Sequence, residues 1–173
     1  MGNVHLTGYR NRVTSTVDSF IANLPEMLGA MAVDPRCFVA IIEFADVRYV
    51  QFWIEPNGDV IAEVVSNINI GDAVALSEDD EGLLRAMGWS EPSPGPNPNW
   101  RVEASGASGL LHVVAMTKGA VFGVLREKAN NVATIQTWAM EGREEHSLRD
   151  LREEARVAYQ DALRVLKSQL DDT

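Results

Sequence analysis

The chain has 173 residues with a hydrophobic content of 46%, enough for one domain with a real core. Its formal net charge of −10 repels phosphate backbones and anionic bilayers, which argues against nucleic-acid and membrane partners. A single cysteine, Cys37, excludes an internal disulfide framework, and the absence of a signal-like or membrane-length apolar run leads us to expect a cytoplasmic protein.

Residues 1–11 read as a loose arm. Helical spacing follows: Val13, Val17, Phe20, Ile21, Leu24, Leu28 and Met31 step by three and four. Pro25 falls inside that pattern and lacks a backbone donor, so the spacing predicts a helix over about 11–24 and a second short turn to residue 30. Three strand candidates come next, at residues 37–44, 47–55 and 60–66. The first is nearly all apolar, as a strand covered on both faces would be. The second alternates, with Tyr49, Gln51 and Trp53 on one face and Val50, Phe52 and Ile54 on the other. Ala45-Asp46 is short, and Pro56-Asn57-Gly58-Asp59 is turn chemistry, so neighbouring strands must run antiparallel as a meander.

Residues 67–76 form a connector. Ser77 followed by Glu78, Asp79, Asp80 and Glu81 suits a helix start, because these groups accept free N–H groups and favour the helix dipole. The same acids could suggest a metal, but at a helix N-terminus capping explains them, and no metal is expected. Leu83, Leu84 and Met87 supply an apolar face and Gly88 the expected stop. Residues 92–99 are proline-rich and not helical, flanked by Trp89 and Trp100, whose large rings should be buried. Residues 99–103 form a short extended piece, and residues 109–128 a second apolar helix in which Gly119 and Gly123 allow close approach of a neighbour. Residues 132–140 alternate as a half-buried strand. The last helix, over residues 145–173, carries a stripe of Leu148, Leu151, Ala155, Tyr159, Ala162, Leu163, Leu166 and Leu170.

No hydrolase elbow, zinc-protease pair, phosphate loop or dinucleotide fingerprint is present. Gly106-Ala107-Ser108-Gly109 is one residue short of an elbow, and His5, His112 and His146 are scattered. Without a nucleophile–base or metal-ligand set, an enzyme is not expected, and no cofactor is implied. A small-molecule or metal-dependent enzyme whose groups converge only in space stays open, as does a regulatory or structural interaction protein.

Several stretches together carry a family resemblance. They are Tyr49-Val50-Gln51-Phe52 before an Asn-Gly turn, Ala62-Glu63-Val64-Val65-Ser66-Asn67, and Leu76-Ser77 opening a helix. Leu84, Met87-Gly88-Trp89, Pro92 and Asn99-Trp100 continue it, as does the helix through Leu125-Arg126-Glu127. Over residues 12–130 the chain resembles the YbjN-like and actinobacterial TY-Chap domains of the type III secretion chaperone-like superfamily. That resemblance implies an α+β domain of order α-β-β-β-α-(β)-α-β-α, with an antiparallel meander packed by helices on one face. It also implies a non-catalytic chaperone or adaptor that binds a peptide or protein partner. Tyr49, Gln51, Trp53, Trp89 and Trp100 are the candidate contact residues. The long C-terminal stripe, with the dimeric habit of the superfamily, predicts a homodimer through Leu151, Tyr159 and Leu166.

Overall fold

The computed structural model describes residues 10–33, 37–55, 59–95 and 98–139. Six strands pair in one antiparallel sheet: β1 (Arg10–Thr16), β2 (Cys37–Glu43), β3 (Tyr49–Ile54), β4 (Val60–Val64), β5 (Trp100–Ala104) and β6 (Val132–Ala139). Their order across the sheet is β1-β6-β2-β3-β4-β5. Among the described residues three α-helices accompany them: α1 (Val17–Val33), α2 (Glu78–Met87) and α3 (Gly106–Gly119). The chain is therefore of the α+β class, as expected.

Turn chemistry explains the meander. The N–H of Phe44 donates to the carbonyl of Arg48 at 2.9 Å and closes a three-residue loop between β2 and β3. Such loops place their third residue in the left-handed region, and here that residue is Val47, at φ 67°. Alternation then sorts the side chains. Ala40 and Ile42, Val50, Phe52 and Ile54, and Val60, Ala62 and Val64 point to one face, where they join residues of all three helices in a single core. The described helices thus lie on one face of the sheet.

The start of the chain departs from expectation. Residues 10–16 are a strand, not the end of an arm and the first turns of a helix: Asn11 pairs with Thr137, Val13 with Ile135 and Thr16 with Val132. Val13 had seemed to begin the apolar helical stripe, yet it is 57% exposed. The run Thr14-Ser15-Thr16 suits an extended edge, and β6 supplies the donors and acceptors to pair with it. The helix begins only at Val17, where the hydroxyl of Thr16 accepts the N–H of Ser19 at 3.2 Å.

Pro25 does not divide α1, which runs on to Val33. Leu24 and Leu28 are fully buried on either side of it, with Met31 beyond. Burying such side chains contributes about 1.5–3 kcal/mol each, which together exceeds the roughly 3 kcal/mol cost of an internal proline. The second long helix also differs from its expected span. It starts earlier, at Gly106, and ends at Gly119, after which Ala120–Val124 form a π-helical turn. Arg126 then takes φ 56° and stops the element. Gly119 marks a close approach: a Cβ there would lie 2.9 Å from the sulfur of Met87 on α2, which would have to move, whereas Gly123 faces open space.

The segment from α2 to β5 behaves as its residue types require. Ser77 and Asp80 form a reciprocal capping box, with the Asp80 N–H donating to the Ser77 hydroxyl at 3.2 Å and the Ser77 N–H to the Asp80 carboxylate at 3.1 Å. At the other end, Gly88 is left-handed at φ 96°. Its N–H donates to the Arg85 carbonyl at 2.9 Å and that of Trp89 to the Leu84 carbonyl at 3.0 Å, the Schellman pattern. That stop swings Trp89 into the core. Ser90 then pairs with Arg101 on β5. The expected final helix, residues 145–173, lies outside the described residues, as do Leu151, Tyr159 and Leu166.

Candidate functional site

The face of the sheet opposite the helices is built by the alternate residues of the same strands. Register sets Gln136, Ile41, Gln51, Glu63 and Arg101 side by side across β6, β2, β3, β4 and β5. A second row sets Trp53 beside Ile61, with Glu103 beyond, and Glu43 stands opposite Tyr49.

Glu63 is the centre of this face. It is only 3% exposed, on a strand whose other four residues are all apolar. A buried carboxylate needs partners, and it has them. One oxygen accepts from the Gln51 side-chain amide at 2.6 Å and from the Asn99 amide at 2.8 Å. The other lies 3.9 Å from the Arg101 guanidinium. Asn99 in turn uses its carbonyl oxygen to accept from Asn69 at 2.7 Å and from the Tyr49 hydroxyl at 3.3 Å. Tyr49, Gln51, Glu63, Asn69, Asn99 and Arg101 therefore act as one network, in which each bond polarises the next.

Arg101 also pairs with Glu103 and sits over the Trp53 ring, 5.1 Å from its centre. The Trp53 indole N–H donates to Glu55 at 3.0 Å, which restrains the ring. Towards the other edge, the Gln136 amide donates to Glu43.

Of the five residues expected to make contacts, the structure brings three together here: Tyr49, Gln51 and Trp53, all half-buried. It does not bring Trp89 and Trp100 to them. Both rings are buried in the core on the helix side, and their indole N–H groups have no partner among the described residues. The reason is register: Trp100 pairs with Val64, a core-facing position, so Asn99 and Arg101 on either side of it take the opposite face. Sequence reasoning missed Glu63, Asn99 and Arg101 as site residues. A signal existed for the first, since a lone carboxylate inside an apolar strand demands a paired environment.

Among the described residues no group of three His, Cys, Asp or Glu could hold a metal ion. No described helix is long and apolar enough to cross a membrane. His112 is exposed on α3, and His5 and His146 lie outside the described residues. The arrangement presents a ring, amides and a guanidinium held in place by one another, which suits recognition of a polar backbone and side chains rather than bond-making.

Comparison with known proteins agrees with the family resemblance. Residues 12–141 match the family TY-Chap3, described as T3SS (YopN, CesT) and YbjN peptide-binding chaperone 3. No curated protein and no solved structure matches the chain.

Proposed function

The chain belongs to the TY-Chap3 family of peptide-binding chaperones, and on that premise we propose that it is a non-catalytic cytosolic chaperone or adaptor whose peptide site is the Tyr49–Gln51–Trp53 face of the sheet. The observation that carries the placement is Trp53. It is a half-buried indole restrained by Glu55 and Arg101, on a face to which none of the three described helices directs its buried side chains. Tryptophan and arginine on a rigid support are the residue types that dominate recognition surfaces. The amide of Gln51 and the hydroxyl of Tyr49 could exchange partners with the backbone of an extended segment or with polar side chains, with buried Asn99 behind them. A net charge of −10 favours protein partners over nucleic acid or anionic membrane.

The test is a tiled peptide library read by fluorescence anisotropy. At least one class of peptide should bind, and Trp53→Ala with Gln51→Ala should weaken it by about ten-fold or more, roughly 1.4 kcal/mol. Leu83→Ala, at an exposed position on α2, should leave binding unchanged. Equal loss in both variants, or no binding by any peptide, would sink the assignment.

A further inference from the structure

Charge is unevenly spread along the face that carries Trp53. Over β3, β4, β5 and the residues at the β3-β4 turn, the carboxylates are Glu55, Asp59, Glu63 and Glu103, and the cation is Arg101. Arg101 lies 3.9 Å from buried Glu63 and pairs with Glu103, yet the side chain of Glu103 stays 59% exposed. Glu55 is half-buried and accepts the Trp53 indole N–H at 3.0 Å. That donor is neutral, so the bond holds the carboxylate without cancelling its charge. The N–H of Glu55 donates to the Asp59 carbonyl at 2.9 Å, which sets these two residues side by side at the end of the ladder. Glu103 closes the row Trp53, Ile61, Glu103, two strands and so roughly 10 Å from Trp53.

The Tyr49 end of β3 has a different chemistry. Its polar groups are the amides of Asn69 and Asn99 and the tyrosine hydroxyl, and Glu43, opposite Tyr49, accepts from the Gln136 amide. Arg12 stands opposite Gln136 on β1, three strands from β3. The negative rim is therefore local to Trp53. The Arg101 guanidinium, 5.1 Å from the ring centre and paired with Glu103, shows the kind of group this end accepts. An indole face attracts a cation through its quadrupole, carboxylates at its edge add charge-assisted bonds, and the aliphatic stem of lysine or arginine packs on apolar surface.

We propose that the client peptide presents an arginine or lysine to the Trp53 end of the face, where its charged group meets Glu55 and Glu103. The proposal rests on the peptide site placed above and names the chemistry which that site takes: cationic extended segments, with acidic ones rejected. Tyr49 lies about 13 Å from Trp53 along β3, so the next few residues of such a segment run over the Gln51 amide and the Tyr49 hydroxyl. Charge complementarity of this kind selects and orients a partner more than it raises affinity.

The experiment uses the full chain and three pools of fluorescein-labelled nonapeptides, random except at one position fixed as arginine, as its neutral isostere citrulline, or as glutamate. Binding is read by anisotropy. The arginine pool should bind about three-fold more tightly than the citrulline pool and about ten-fold more tightly than the glutamate pool. Glu55→Gln with Glu103→Gln should bring the arginine and citrulline pools together, while Gln at 55 keeps an acceptor for the indole N–H. Glu78→Gln with Asp79→Asn removes the same charge from exposed positions on α2 and should leave the preference as it was. Equal binding of arginine and citrulline pools by the unaltered protein, or a preference that survives Glu55→Gln with Glu103→Gln, would overturn the proposal. So would equal loss in the α2 variant, which would assign the preference to the net charge of the whole protein. Failure of the peptide site itself looks different. Trp53-dependent binding of all three pools without a charge preference would keep the site and remove the proposal, whereas no binding by any pool would remove both.

Discussion

The two faces of the sheet are made from the same strands and held by opposite means. On β3, Val50, Phe52 and Ile54 go to the helix side and are buried in the core shared with the helices, while Tyr49, Gln51 and Trp53 go to the other side and are half-buried. The first face closes by removing apolar surface from water, which is non-directional and tolerant of detail. The second closes through directed bonds around Glu63, where each donor has a specific acceptor. The lesson is that the helix face should answer to volume and the polar face to partner identity.

The largest expected effect tests the first half of that statement. Phe52 is fully buried, and Phe52→Ala should cost about 3–5 kcal/mol by lost transfer energy and cavity formation. Its strand neighbour Trp53→Ala should cost distinctly less in urea unfolding while reducing peptide binding. If the two losses are equal, the faces do not differ as described.

Glu63 tests the second half. Glu63→Ala leaves the Gln51 and Asn99 amides and Arg101 without their shared acceptor, and should cost about 2–3 kcal/mol. Glu63→Gln keeps one acceptor for the two amides but turns an N–H toward Arg101, so it should recover part of that loss and no more. Full recovery would mean that shape alone holds this face, and denaturant midpoints decide between the two.

Asp80 extends the comparison to a directed contact on the helix side. Burial pushes its carboxyl up, but bonds from the Ser77 side chain and backbone and the nearby Arg126 charge outweigh this, so it titrates below the ordinary 3.8. A folded-state value that is depressed contributes stability above the ordinary value and loses it as pH falls through the folded one. Asp80→Asn should therefore cost about 1 kcal/mol at pH 7, a typical capping loss. The gap from the unaltered protein should narrow as pH drops below 3.8. A gap independent of pH in stability curves would remove the charge from the explanation.

The smallest effect has the opposite sign. Val47 is β-branched, 68% exposed and left-handed at φ 67°, in the loop that joins β2 to β3. Val47→Asn relieves a conformation that costs valine of order 1 kcal/mol, and should raise stability by about that much with no change in binding. A loss in thermal unfolding would show that the side chain packs in a way its exposure does not suggest.

Particular elements show why some of this could be read from residues and some not. The β2-β3-β4 meander was legible because its signals are local: period-two alternation and short turns force antiparallel neighbours. The α2 boundaries were legible for the same reason, since Ser77 and Gly88 satisfy backbone groups within one turn of themselves. β1 was not, because Val13 and Val17 fit a helical step as well as a strand, and only β6, more than a hundred residues later in the chain, decides between them. Pro25 was misread for a related reason: its local cost is real, and burial of Leu24 and Leu28 against distant partners overrides it.

The site divides along the same line. Residue types alone placed Tyr49, Gln51 and Trp53 on one face, because side-chain direction alternates along a strand wherever that strand sits. Residue types also required Trp89 and Trp100 to bury their rings, but not on which side of the sheet. That was decided by the pairing of Trp100 with Val64, which turned the tryptophan to the helices and put Asn99 and Arg101 beside Glu63. Alternation and capping are properties of neighbouring residues and so belong to the sequence. Register and strand order couple residues far apart in the chain, and only the folded packing selects them.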